Sequence, residues 1–266
     1  MNPQIARAIR NPVWAAEKAW LWGRSIAGLR ASDKVFAFYP KTGSTWVRIF
    51  FYNLLAAREM GRAGDFSFDA VDASMPEFAN PSFFKPWPFR SSDRILKTHR
   101  PYNRVWAGRP SVLFTREPRD TMVSFLHYAN AKKEFGFAGD LNDLVRHPEF
   151  GLDSYMRFYT SWKPHAGLII RYEDLRAEPL QEFTRIVGHI GIDADLAEIT
   201  SALEASTLER TRKAQEQSSE QFRSKFKDGF VFARKGASGE GQEAFDEELE
   251  AYYLERRAAW GFDLYA

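Results

Sequence analysis

The sequence has no cysteine among its 266 residues. That excludes a disulfide framework, a thiolate metal site and a cysteine nucleophile, and it suits a reducing compartment, so a cytoplasmic location is expected. No run of 18 or more apolar residues is present, so no transmembrane helix is expected. A signal-peptide core is missing too, because Glu17 and Lys18 interrupt the N-terminal apolar stretch and no small-residue cleavage pattern follows. Neither sign of charge dominates. Lys and Arg number 37 against 35 Asp and Glu, so a nucleic-acid surface is not expected and each cation has to be judged as a local anion contact. His127, His147, His165 and His189 share no metal-ligand spacing, so no metal is expected. Internal repeats, low-complexity tracts and linker-like composition shifts are also absent.

Aromatic residues, by contrast, are plentiful. The 23 Phe, 10 Tyr and 8 Trp supply a full core with enough left to line a site, and the length suits one large domain over residues 1–266. Residues 1–30 carry Arg7, Arg10, Lys18, Arg24 and Arg30 against the single acid Glu17, with Trp14, Trp20 and Trp22 between them. This stretch reads as an N-terminal helical extension packing its tryptophans on the domain. Peripheral contact with a membrane surface is the alternative.

Four short apolar runs, Val35–Tyr39, Ile95–Lys97, Val112–Thr115 and Leu168–Tyr172, read as buried strands. The segments between them have helical spacing, which predicts an α/β fold: a central parallel sheet flanked by helices. Helices are expected over Trp46–Arg58, Leu152–Trp162, Leu180–His189, Asp195–Ala205 and Phe245–Arg256. Ligands of open α/β sheets bind beyond the carboxyl ends of the strands. There the sequence places Lys41, then Lys97 and His99, then Arg116, then Tyr172, so that edge is expected to bind an anion.

The first strand runs into Tyr39-Pro40-Lys41-Thr42-Gly43-Ser44-Thr45-Trp46 and then into a helix. A strand, a tight turn with one glycine and three hydroxyls, and a helix N-terminus make a P-loop-like phosphate cradle. Lys41 precedes the only glycine, whereas a Walker A loop places its lysine after the second, and no obvious Walker-B-type acid follows a strand. A metal-dependent NTPase therefore fits poorly. After the third strand, Arg116-Glu117-Pro118-Arg119-Asp120 is followed by Ser124, eight residues beyond Arg116. Pro118 suits a first helical turn, and the Arg fork with the Ser hydroxyl suits a phosphate monoester. Arg234-Lys235-Gly236-Ala237-Ser238-Gly239 is a third anion-binding candidate, with two adjacent cations in a glycine-containing loop.

These strings resemble the cytosolic-type sulfotransferases, which use 3′-phosphoadenosine 5′-phosphosulfate (PAPS) and release PAP. Lys41 to Trp46 resembles the family's 5′-phosphosulfate loop, and Arg116 with Ser124 its grip on the 3′-phosphate. Lys97-Thr98-His99-Arg100-Pro101 resembles its Lys-Thr-His-x-Pro segment. Arg234, Lys235 and Gly236 resemble its C-terminal loop, but Glu240-Gly241-Gln242-Glu243 stands where the family commonly has Asp-Trp-Lys-Asn. Trp46 and Tyr172 match the residues that contact adenine, and Ser206-Thr207-Leu208 its Thr-Ser-Phe near the base. The resemblance implies sulfuryl transfer to a hydroxyl of a small-molecule acceptor. His99 would act as general base, with Lys41 and Lys97 neutralising the charge that develops on the sulfonate and the leaving phosphate. A non-catalytic PAP-binding protein and a P-loop-like kinase are the alternatives. Finally, Phe83-Phe84-Lys85-Pro86-Trp87-Pro88-Phe89 reads as an extended loop before the strand leading to His99. Phe84 and Trp87 are expected to line a pocket for a lipophilic alcohol or phenol, or else merely to cover the sheet.

Overall fold

The computed structural model describes residues 11–61, 64, 66–231 and 238–265. Its centre is a parallel sheet in the order β2-β1-β3-β4, formed by β1 (Lys34–Phe38), β2 (Ile95–Thr98), β3 (Ser111–Thr115) and β4 (Leu168–Arg171). Phe36 pairs with Lys97 on one side and Val112 on the other, and Leu113 pairs with Ile169. Each strand lies within a residue or so of its expected position, because a strand buried on both faces must be continuously apolar.

The pleat divides the core in two. Val35, Ala37, Leu96 and Leu113 face one layer, with Met122, Tyr155, Phe158 and Trp162. Phe36, Phe38, Ile95, Val112, Phe114 and Ile170 face the other, with Phe50, Phe51, Leu54, Phe183 and Ile186. Successive side chains of a strand point to opposite faces, which is why residues two apart share a cluster. Phe38 and Phe114 stack across neighbouring strands with ring centroids 4.3 Å apart.

In chain order the helices that matter for the site are α1 (Pro12–Ala27), α2 (Ser44–Met60), α3 (Phe68–Ser74), α4 (Pro118–Ala131), α5 (Leu152–Trp162), α6 (Pro179–Ile190), α7 (Leu196–Glu204), α8 (Leu208–Glu216) and α9 (Glu247–Trp260). Sequence signals set their ends. Pro118 opens α4, where the Glu117 side chain accepts from the Asp120 N–H. Gly61 closes α2 at φ +62°, returning its N–H to the Ala57 carbonyl. The chain leaves β1 toward β2 on one side and returns to β3 on the other. The crevice at the carboxyl ends of β1 and β3 is therefore the topological switch point, where open α/β sheets hold ligands. Among the described residues no helix is long and apolar enough to cross a membrane.

Candidate active site

The turn after β1 is held open by its own backbone. Lys41 has φ +73° and Gly43 φ +98°, so left-handed residues flank Thr42. For a lysine this conformation is uncommon, which marks the turn as built for a purpose. Thr42 is fully buried, and its hydroxyl donates to the Tyr39 carbonyl at 2.8 Å. Its side chain therefore closes the turn and does not face the cavity, unlike its neighbours. Gly43 caps α2 without any side-chain bond, and the first-turn N–H groups of a helix have no partners within it. Only glycine fits here: a Cβ on Gly43 would lie 3.0 Å from Cδ2 of Tyr172, besides being strained at that φ. The Lys41 ammonium sits 4.9 Å from the centre of the Tyr128 ring.

β2 delivers the second group. Lys97 is buried, and its Nζ lies 2.8 Å from Oε2 of Glu77. The Glu77 segment runs along the outer edge of β2. Lys97 N donates to the Pro76 carbonyl at 2.9 Å, and Phe78 N donates to the Lys97 carbonyl at 3.0 Å. Burial alone would raise the Glu77 carboxyl, but Lys97, His99 and Arg48 outweigh it and hold the group at about 2. Burial pulls Lys97 below the ordinary lysine value, with Glu77 opposing the fall. Arg48, on α2, is buried and ion-paired to Asp72 at 2.5 Å.

His99 stands one residue beyond β2. Its Nδ1 lies 2.8 Å from the Phe38 carbonyl oxygen. A carbonyl can only accept, so Nδ1 carries the proton and the lone pair of the neutral ring is on Nε2. Burial, reinforced by the charge of Lys97, pushes this imidazole down to about 4, against the opposing pull of Glu77. At neutral pH the ring is an uncharged base of fixed tautomer.

The third group follows β3. The Arg116 guanidinium lies over the Tyr172 ring at 4.6 Å, with Nη1 donating to the Lys41 carbonyl at 3.4 Å. It thus ties the turn after β1 to the end of β4. Asp120, 4.0 Å from Arg116, accepts from the N–H of Gly239 at 2.8 Å and of Gly241 at 2.6 Å. A Cβ on Gly241 would fall 2.3 Å from the backbone of Arg119 and Asp120. This contact anchors the C-terminal segment at the point where the sequence departs from Asp-Trp-Lys-Asn. The expected Arg234, Lys235 and Gly236 lie outside the described residues.

Most of these groups border one cavity of about 1820 Å³. Its walls include Lys41, Gly43, Ser44, Thr45, Trp46, Lys97, His99, Arg116, Ser124 and Tyr172. The volume exceeds the usual range for one small ligand, about 300–1,000 Å³. The Trp46 ring meets Phe183 edge-on, and Ser206, Thr207, Trp22, Phe78, Tyr102 and Phe150 also belong to the wall.

Phe84 and Trp87 are not among the lining residues. Phe84 is exposed and packs against the Trp20 ring and the Arg24 guanidinium of α1. Trp87 turns inward to donate from Nε1 to the Ser92 carbonyl at 2.9 Å, its ring edge-on to Phe89. The aromatic residues in the cavity wall include Trp22, Phe78, Tyr102 and Phe150. Glu77 and Arg48 had no sequence signal, since a lone acid in a loop and a helical arginine are ordinary. Asp120 carried one, standing inside the Arg-Glu-Pro-Arg-Asp string. Among the described residues no group of His, Asp or Glu could hold a metal ion.

Comparison with known proteins agrees with this geometry. Residues 32–256 match the model of the sulfotransferase domain. The chain is 27% identical to Sulfotransferase 6B1 of Homo sapiens over 195 residues, 69% of this chain and 63% of that protein. It thus spans less than two thirds of that relative's length. Among solved structures, retinol dehydratase in complex with androsterone and the inactive cofactor PAP superposes with a TM-score of 0.70 at 17% identity, covering 90% of this chain and 83% of that one. Mouse sulfotransferase SULT7A1 complexed with PAP gives 0.69 at 18%, covering 92% and 90%. At such identities the two structures speak for the fold, whereas the domain match spans most of the sequence: this chain belongs to the sulfotransferase-domain family.

Proposed function

We propose that this protein transfers the sulfuryl group of PAPS to a hydroxyl of a small alcohol or phenol, with His99 as general base. The observation that carries the reading is the bond from His99 Nδ1 to the Phe38 carbonyl, in a cavity shared with the turn at Lys41. It leaves Nε2 unprotonated at neutral pH, which a base requires and a merely structural histidine does not.

The cavity fits the nucleotide on chemical grounds. Backbone N–H groups of Gly43, Ser44 and Thr45 with the Lys41 ammonium suit the 5′-phosphosulfate, because a helix N-terminus attracts an anion. Arg116 and Ser124 suit the 3′-phosphate, since guanidinium and hydroxyl are the donors a monoester takes up. Trp46 and Tyr172 offer ring surface to the base. Bound there, PAPS supplies an electrophilic sulfur whose bond to the phosphate oxygen breaks as the acceptor oxygen attacks.

The remaining work belongs to the chain. Nε2 of His99 accepts the hydroxyl proton. Lys97 and Lys41 hold positive charge beside the oxygens that become more negative, which is worth most in a water-poor cavity. Trp22, Phe78, Tyr102 and Phe150 give the acceptor an aromatic surround. The test is turnover of PAPS with a panel of phenols and alcohols in the presence of a chelator. Product in wild type and its loss in His99→Ala support the reading; a requirement for magnesium and ATP overturns it.

A further inference from the structure

The acceptor end of the cavity carries charge that sulfuryl transfer does not use. Arg100 directly follows the proposed base and lines the cavity, with its guanidinium 5.0 Å from the centre of the Trp22 ring. Its backbone is pinned, because Trp162 Nε1 donates to the Arg100 carbonyl at 2.9 Å. Arg157 enters from α5. Ser154, Arg157 and Ser161 are three and four residues apart and share a helical face. Ser154 and Arg157 of that face line the cavity and neighbour Tyr39, and Ser161 Oγ accepts from Tyr102 N at 2.9 Å.

Among the described residues neither arginine is in an ion pair, whereas three other lining cations, Arg48, Lys97 and Lys132, are paired to Asp72, Glu77 and Glu134. Of the acids that line the cavity, Glu77 acts on the charge of Arg100 and is itself paired to Lys97 at 2.8 Å. Burial draws the Arg100 guanidinium below the ordinary arginine value, with the charge of Glu77 opposing the fall. Arginine is suited to such a place, since its planar fork matches a carboxylate and its face stacks on an aromatic ring.

We propose that the acceptor is a hydroxyl compound bearing a carboxylate, held by Arg100 and Arg157 while Trp22, Phe78 and Tyr102 surround its apolar body. This rests on the sulfotransferase reading for the identity of the neighbouring ligand. The arginines would orient the acceptor toward Nε2 of His99.

The experiment compares hydroxyphenyl-alkanoic acids with their primary amides, matched in size and hydroxyl. Binding to the PAP-loaded protein is measured by calorimetry, and kcat/KM with PAPS is measured in parallel. The acid is expected to be favoured by about tenfold or more in both, the usual worth of a charge-assisted hydrogen bond. Arg100→Gln should reduce the acid-to-amide ratio about tenfold, and Arg100→Lys should keep part of it, with circular dichroism confirming that both fold. Equal binding of acid and amide, or an unchanged ratio in both Arg100→Gln and Arg157→Gln, overturns the proposal. Absence of PAP binding would instead count against the sulfotransferase reading. The acid–amide comparison on the unloaded protein still reads the subsite in that case.

Discussion

Lys97 and Glu77 meet at 2.8 Å across the outer edge of β2, and two backbone hydrogen bonds between their segments lock that register. The pair fixes the position of the lysine proposed to face the sulfonate and supplies a counter-charge that opposes the lowering of its pKa by burial. Removing one partner of such a pair leaves the other short of solvation.

Glu77→Gln should therefore destabilise the fold by roughly 1–3 kcal/mol, the cost of an unsatisfied buried group, and lower kcat. The pH profile should also move. Glu77 raises the pKa of both Lys97 and His99, so its loss lets both fall. Both limbs of kcat/KM are then expected at lower pH than in wild type. Thermal melts and a pH–rate series check this; a lowered melting temperature with unmoved limbs would make Glu77 purely structural.

For His99 the sign is equally definite. Its pKa is depressed to about 4, so the base stays unprotonated through the range near 6.5 where an ordinary histidine takes up a proton. The acid limb of wild-type kcat/KM should lie well below pH 6. His99→Ala should reduce turnover by about 10²- to 10⁴-fold while leaving PAP affinity nearly unchanged. An acid limb at ordinary histidine values would contradict the buried, neutral ring.

Arg116 ties the turn after β1 to Tyr172 through its contacts with the Lys41 carbonyl and the tyrosine ring. Arg116→Ala should weaken PAP by about ten- to a hundredfold and narrow the preference for PAP over AMP, as expected for loss of a charge-assisted bond to phosphate. Calorimetry with both nucleotides is the check. A wild type that binds PAP and AMP equally would remove Arg116 from 3′-phosphate recognition.

Gly241 touches the backbone of Arg119 and Asp120, and Asp120 accepts its N–H at 2.6 Å. Gly241→Ala cannot keep that contact, because its Cβ would overlap rigid backbone. We expect a loss of about 1–3 kcal/mol, the range for overpacking, together with weaker PAP binding. Retention of both stability and affinity would show that the segment is not anchored there.

Much of the architecture was legible before any coordinates. Val35 to Phe38 and Val112 to Thr115 are short apolar runs that suit only strands buried on both faces. Pro118 opens its helix through its fixed φ. The meeting of Lys41, Lys97 and Arg116 at one cavity was legible for the same local reason, since each stands just at a strand end. What escaped depends on folding in three dimensions. Glu77 reaches Lys97 only because its loop lies along the edge of β2, and the bond from His99 to Phe38 joins residues 61 positions apart. Trp87 and Phe84 belong to an aromatic-rich loop, but composition does not say which way a ring points. Ser92 and α1 claim them, while Trp22, Tyr102 and Phe150, scattered through the sequence, line the cavity instead.

The central claim is sulfuryl transfer from PAPS by a metal-independent site with His99 as base. Incubation with sulfur-labelled PAPS, a phenol panel and excess chelator, read by mass spectrometry, tests it directly. The account predicts an acceptor heavier by one sulfuryl group, one PAP released per product, and loss of both in His99→Ala without loss of PAP binding. Release of PAP with no sulfated acceptor from any hydroxyl compound, or full turnover in His99→Ala, would contradict it.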